Sequence, residues 1–68
     1  MVEIFGKDTC PYTRAARDHY EGQAAPFTYH NVKKNPAELE RMLVLSGGRR
    51  EVPVILDDGT VTIGFGGT

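Results

Sequence analysis

Apolar and polar positions along the chain follow two rhythms, one of period two and one of helical period. Val2-Glu3-Ile4-Phe5 alternates and then closes on an apolar pair, the pattern of a short buried strand. Gly6-Lys7-Asp8-Thr9 reads as a loop. Pro11 suits the first turn of a helix, where its missing N–H costs nothing, and helical residues follow from Tyr12 to about Gly22. Ala15, Ala16, His19 and Tyr20 share one face of that helix, with Arg14, Arg17, Asp18 and Glu21 largely on the other. Gly22 is placed to cap it. Phe27 to Val32, between Pro26 and Lys33, has the aromatic and β-branched character of a second strand. Asn35-Pro36-Ala37-Glu38 predicts a helix start, with Asn35 as cap, Pro36 at the first position and Glu38 closing a capping box. Leu39, Met42 and Leu43 then form an apolar stripe, and Gly47-Gly48 stops it. Val52 to Leu56 reads as an apolar strand, Asp58-Gly59 as a hairpin turn, and Val61-Thr62-Ile63 as the returning strand. Gly64-Phe65-Gly66-Gly67 reads as flexible backbone.

The order strand, helix, strand, helix, strand, strand implies an α/β fold. The first two strands, joined by a helix, are expected parallel with a right-handed crossover, and the last two antiparallel. The expected architecture is a mixed four-stranded sheet with flanking helices. With 68 residues the chain has room for a single domain spanning 1–68. No apolar run approaches the roughly 18 residues needed to cross a bilayer, and the N-terminus enters a strand pattern directly rather than a secretory signal. A formal net charge of −1 gives no case for nucleic acid or an anionic membrane as partner. The chain has one cysteine and therefore no internal disulfide, which favours a reducing, cytoplasmic setting.

That cysteine lies in Lys7-Asp8-Thr9-Cys10-Pro11-Tyr12-Thr13-Arg14. It directly precedes the helix-starting proline, so Cys10 falls at the N-cap. There, free N–H groups and the positive end of the helix dipole favour the thiolate, the reactive form. Lys7 and Arg14 can add positive charge, and Asp8 opposes them. Thr13 stands where thiol redox motifs usually carry a second cysteine. It cannot resolve a mixed disulfide by attack; its hydroxyl either donates to the thiolate or is a helix-compatible polar filler. His19, on the helix face expected to be buried, and His30, in a strand, read as core-edge histidines. Neither forms a metal-ligand spacing with Cys10, so no metal site is expected. Lys33-Lys34 read as a solvated turn.

Cys10-Pro11-Tyr12 at a helix start, Val52-Pro53 before a hairpin and Gly66-Gly67 after the last strand together resemble the glutaredoxin family, over nearly the whole chain from Val2 to Gly67. The resemblance implies a thioredoxin-like fold, here without the last helix that glutaredoxins add. An uncovered sheet face would then permit weak self-association of a protein otherwise monomeric. Thr13 departs from the common second cysteine, and Glu51-Val52-Pro53 from the common Thr-Val-Pro. The pattern looks closer to a small bacterial glutaredoxin-like group, partly selenoproteins, with a Cys-x-x-Thr motif. In that group a selenocysteine can lie just beyond a terminal Gly-Gly-Ser/Thr, so Thr68 is a candidate recoding point.

The resemblance also implies a glutathione groove. Tyr12 would line it, and Pro53 would be cis and adjacent to Cys10. The Val52 backbone would pair with the cysteinyl part of glutathione like an added strand. Gly66, Gly67 and Thr68 would offer backbone N–H groups to its γ-glutamyl carboxylate. Lys7, assisted by Arg49 or Arg50, would take its glycyl carboxylate. The implied activity is a monothiol, glutathione-dependent thiol-disulfide oxidoreductase that transfers electrons between glutathione, or another small thiol, and glutathionylated or disulfide-containing proteins. The alternatives are a [2Fe–2S] cluster module, with one cysteine from each of two protomers and two glutathiones, and a non-catalytic redox sensor. The absence of a Cys-Gly-Phe-Ser tetrad and the presence of Pro11 count against the cluster.

Overall fold

A computed structural model describes residues 1–65. Its elements are β1 (Val2–Gly6), α1 (Pro11–Gly22), β2 (Phe27–Asn31), α2 (Pro36–Ser46), β3 (Val54–Asp57) and β4 (Thr60–Ile63). They form one sheet in the order β2-β1-β3-β4. β1 runs parallel to β2, in a register that sets Ile4 beside Tyr29, and antiparallel to β3. β3 and β4 pair antiparallel. This is the mixed four-stranded α/β sheet expected.

Alternation along the strands sends side chains to two faces. On one face Val2, Ile4 and Ile55 pack with Ala16 of α1, and Tyr20, Phe27, Tyr29 and Phe65 close around them. On the other, Phe5, Val32 and Val54 pack with Met42 of α2, flanked by Leu39, Leu43, Val61 and Ile63. Helix ends follow local chemistry. Pro11 and Pro36 open α1 and α2, and Gly47, at φ 70°, ends α2 in the left-handed conformation. At the hairpin Asp58 and Gly59 both have positive φ, 50° and 85°, matching the twist of the strands they join.

Several details differ from the sequence expectation. Ala15 and His19 are exposed, and α1 buries Thr13 and Ala16 instead. The helix is turned toward Thr13 because β1 ends on Gly6, whose missing side chain leaves room for Thr13; a Cβ there would lie 2.4 Å from Thr13 Cγ2. Gly22 is the last helical residue rather than the cap; Gln23 caps α1, and Ala24 carries the positive φ. Asn35 caps α2 by position but without a side-chain bond, so no capping box closes. Glu38 turns instead to His30 and Arg41. β3 begins at Val54, not Val52, since Pro53 has no N–H for a ladder.

Gly64 and Phe65 are not loose backbone. Gly64 is buried and donates to the Pro53 carbonyl at 2.7 Å, and Phe65 packs into the α1-side core. On that side β3 and β4 present Asp57, Thr60 and Thr62, all exposed, around a buried Ile55. The exposed large apolar side chains among the described residues are Met1, Tyr12 and Val44, none of which belongs to β3 or β4.

Candidate active site

The loop after β1 delivers Cys10 to the N-cap of α1, with extended backbone at φ −89° and ψ 119°. The Cys10 amide donates to the Lys7 carbonyl at 3.2 Å and closes the turn. From the other side of the sheet the chain enters β3 through a cis Val52–Pro53 peptide, the isomer the resemblance implied. Pro53 is fully buried, and the Val52 carbonyl lies 3.9 Å from Cys10 Sγ, which donates to it as a thiol. Cys10 and Val52 are thus neighbours across 42 residues of chain.

Cys10 retains only 8% exposure. Burial pushes its thiol up, and four groups push it down: the Thr13 hydroxyl, the Thr13 and Tyr12 amides, and the Lys7 ammonium. The lowering groups prevail, so the thiol lies below its ordinary value. The Thr13 hydroxyl belongs to a residue only 1% exposed and has no hydrogen-bond partner among the described residues. A buried hydroxyl left without a partner is costly. A thiolate at Cys10 would offer that hydroxyl an acceptor, in line with the direction in which Thr13 acts on the thiol.

The other candidates divide. Lys7 is exposed beside the turn, and Tyr12, 39% exposed, stands at its rim. Arg49 pairs with Glu51 at 2.6 Å, which engages its charge locally. His19 is exposed rather than at the core edge, and its ring meets those of Tyr20 and Phe65. His30 is at the core edge as expected, stacked on Phe5 and held by Glu3 and Glu38 on the opposite face from Cys10. Gly66, Gly67 and Thr68 lie outside the described residues. No group of three or more His, Cys, Asp or Glu among the described residues is arranged to hold a metal ion. Among the described residues no helix is long and apolar enough to cross a membrane.

Pattern reading missed three residues. Gly6 admits Thr13, and the available signal was a glycine at the end of a strand facing a helix start. Tyr29 donates to Asp8 Oδ1 at 2.8 Å, and Arg17 lies 4.0 Å from the centroid of the Tyr29 ring. Nothing local in the sequence joins these positions.

The glutaredoxin family profile matches residues 2–61. A glutaredoxin-like 8.6 kDa protein of the rubredoxin operon of Clostridium pasteurianum is 32% identical over 65 residues, covering 96% of this chain and 85% of that one. Among solved structures, the glutaredoxin of Archaeoglobus fulgidus superposes with a TM-score of 0.82 at 20% identity, over 94% of this chain and 74% of that one. The glutaredoxin-like NrdH-redoxin of Escherichia coli, a protein with a thioredoxin-like activity profile, gives 0.81 at 23% identity, over 94% and 82% of the two chains. Wheat glutaredoxin gives 0.76 at 23%, over 93% and 60%. These structures share the fold.

Proposed function

The chain belongs to the glutaredoxin family, and from that premise we propose that it is a monothiol thiol-disulfide oxidoreductase with Cys10 as nucleophile and glutathione as co-substrate. The observation that carries this reading is the buried, unpartnered Thr13 hydroxyl near a Cys10 thiol held below its ordinary value, for which a thiolate would be the acceptor.

The Cys10 thiolate attacks the glutathione sulfur of a glutathionylated protein. The Cys10–glutathione bond forms, the protein–glutathione bond breaks, and the protein thiolate leaves and takes a proton from solvent. A second glutathione, as thiolate, then attacks the glutathione sulfur on Cys10. Oxidised glutathione departs and Cys10 returns as thiolate, its departure eased by the same Thr13 hydroxyl and helix-terminal amides. A low thiol pKa serves both the attacking and the leaving role. Thr13 leaves resolution to the second thiol. Lys7, Tyr12 and the Val52-Pro53 backbone are the proposed walls of the groove, with Gly66 and Gly67 its proposed carboxylate end. Such chemistry belongs in a reducing compartment such as the cytoplasm.

A second reading comes from the neighbour with a thioredoxin-like activity profile: reduction of general protein disulfides with a different electron donor. Thr13 weighs against it, because the 68 residues hold no second thiol to release the substrate.

The test pairs the alkylation rate of Cys10 against pH with turnover of a glutathionylated peptide and of a protein disulfide lacking glutathione. Expected are a thiol ionising below its ordinary value and glutathione-dependent turnover of the first substrate only. Ordinary titration with no turnover rejects the catalytic reading. Turnover of the second substrate alone favours the thioredoxin-like one.

A further inference from the structure

The turn that carries Cys10 is tied to the sheet by a side-chain bond. Tyr29, on β2, donates its hydroxyl to Asp8 Oδ1 at 2.8 Å, spanning 21 residues. The Arg17 guanidinium of α1 lies over the same ring. Tyr29 therefore joins the Lys7–Cys10 turn, β2 and α1 at one corner. Asp8 brings a negative charge to that turn, and a like charge near a forming thiolate disfavours it. The phenol is a dependable donor. Burial first, then the bond to Asp8 and its charge, push Tyr29 up to about 12, with Cys10 adding to the rise and Arg17 opposing it.

Resting on the thiolate chemistry above, we propose that Tyr29 is a positioning residue for Cys10: by holding and partly neutralising the Asp8 carboxylate, it prevents Asp8 from cancelling the favour that Lys7 lends the thiolate. The charged and titratable groups around this corner are Lys7 and Asp8 in the turn, Tyr12, Arg14 and Arg17 on α1, and Tyr29 on β2.

The experiment follows alkylation of Cys10 against pH in the wild type, Tyr29→Phe, Asp8→Asn and the double variant. Below the thiol's midpoint, Tyr29→Phe should react about threefold more slowly than wild type and Asp8→Asn about twofold faster, the scale of one exposed charge acting through solvent. The double variant should match Asp8→Asn. The differences should shrink in high salt and vanish above the midpoint, where every thiol is ionised. Asp8 is exposed, so comparing wild type with Asp8→Asn keeps the proposal open to refutation even if Tyr29→Phe folds poorly. Coincident profiles for wild type and Asp8→Asn overturn the proposal, as does a slowing by Tyr29→Phe that persists in the double variant. A wild-type thiol of ordinary pKa would instead reject the catalytic reading, while the relative displacement of the four profiles still decides the role of Tyr29.

Discussion

On the α2 face of the sheet, His30 Nε2 meets Glu3 Oε1 at 2.9 Å while Nδ1 meets Glu38, and Arg41 reaches the same two carboxylates at 3.1 and 3.4 Å. On the α1 face, at the end of β1, the Thr13 hydroxyl is more deeply buried and has no partner among the described residues, and the Cys10 thiol makes a long contact with the Val52 carbonyl. Both clusters lean on β1. The first is closed, each polar group answered by another, and it ties α2 to β1 and β2. The second is open by one acceptor. Buried polar groups are nearly always satisfied, so an exception calls for a reason. The proposed function supplies a chemical reason: a Cys10 thiolate would be the missing acceptor.

The largest way to break the comparison is Cys10→Ser. A serine hydroxyl stays protonated where a thiol ionises, so turnover of a glutathionylated peptide should fall to the uncatalysed background, while the denaturation midpoint stays close to wild type. Gly6→Ala comes next. The added Cβ would lie 2.4 Å from Thr13 Cγ2 and 2.5 Å from Thr13 Oγ1, so the start of α1 must move. Overpacking of this kind costs about 1–3 kcal/mol, read by urea denaturation, and should also slow alkylation of Cys10. Gly6→Ala with Thr13→Ala removes the two nearest clashing atoms, leaving Cβ of residue 13 at 3.0 Å, and should recover most of the stability but not the reactivity. Recovery of both would detach Thr13 from the chemistry.

The same contrast explains what the sequence made legible. Element order followed from residues acting within a few positions: prolines opening both helices, Gly47 closing one, Asp58-Gly59 turning the hairpin. Cys10 was marked by its place before Pro11. The face of α1 was not legible, because a hydrophobicity pattern counts Thr13 as polar and cannot foresee Gly6 admitting it. Nor was the use of Glu38, which offers a plausible capping box until His30 and Arg41, contributed by β2 and α2 itself, claim it. Tyr29 and Asp8, and the packing of Phe65 against the α1-side core, depend on contacts between distant segments. Those contacts exist only once the sheet is assembled.

Thr13→Val sharpens the contrast from the open side. Valine keeps the shape and removes the unpartnered hydroxyl. Deleting a buried polar group that has no partner is nearly neutral or stabilising, so the urea midpoint should hold or rise. The thiol, deprived of its side-chain donor, should ionise at higher pH. Stability and reactivity would move in opposite directions, the signature of a group kept for function. A loss of stability above about 1 kcal/mol would mean that the hydroxyl is bonded in the resting protein after all.

The smallest effect tests the closed side. Glu3 lies below the ordinary carboxylate value of 4.5, chiefly because His30 bonds it, with burial opposing and Arg41 assisting. Near and just below that value the unfolded chain therefore binds more protons at this position than the folded one. The stabilisation is fully present above the unfolded pKa and is lost as pH falls through the folded one. Denaturation midpoints followed downward from about pH 6 should decline on entering this window, and Glu3→Gln should show a shallower decline with a lower plateau above it. Cys10 alkylation at neutral pH should be the same in wild type and Glu3→Gln, because the sheet separates the two clusters. A change in that rate would show that the closed cluster and the open one act as a single unit across β1.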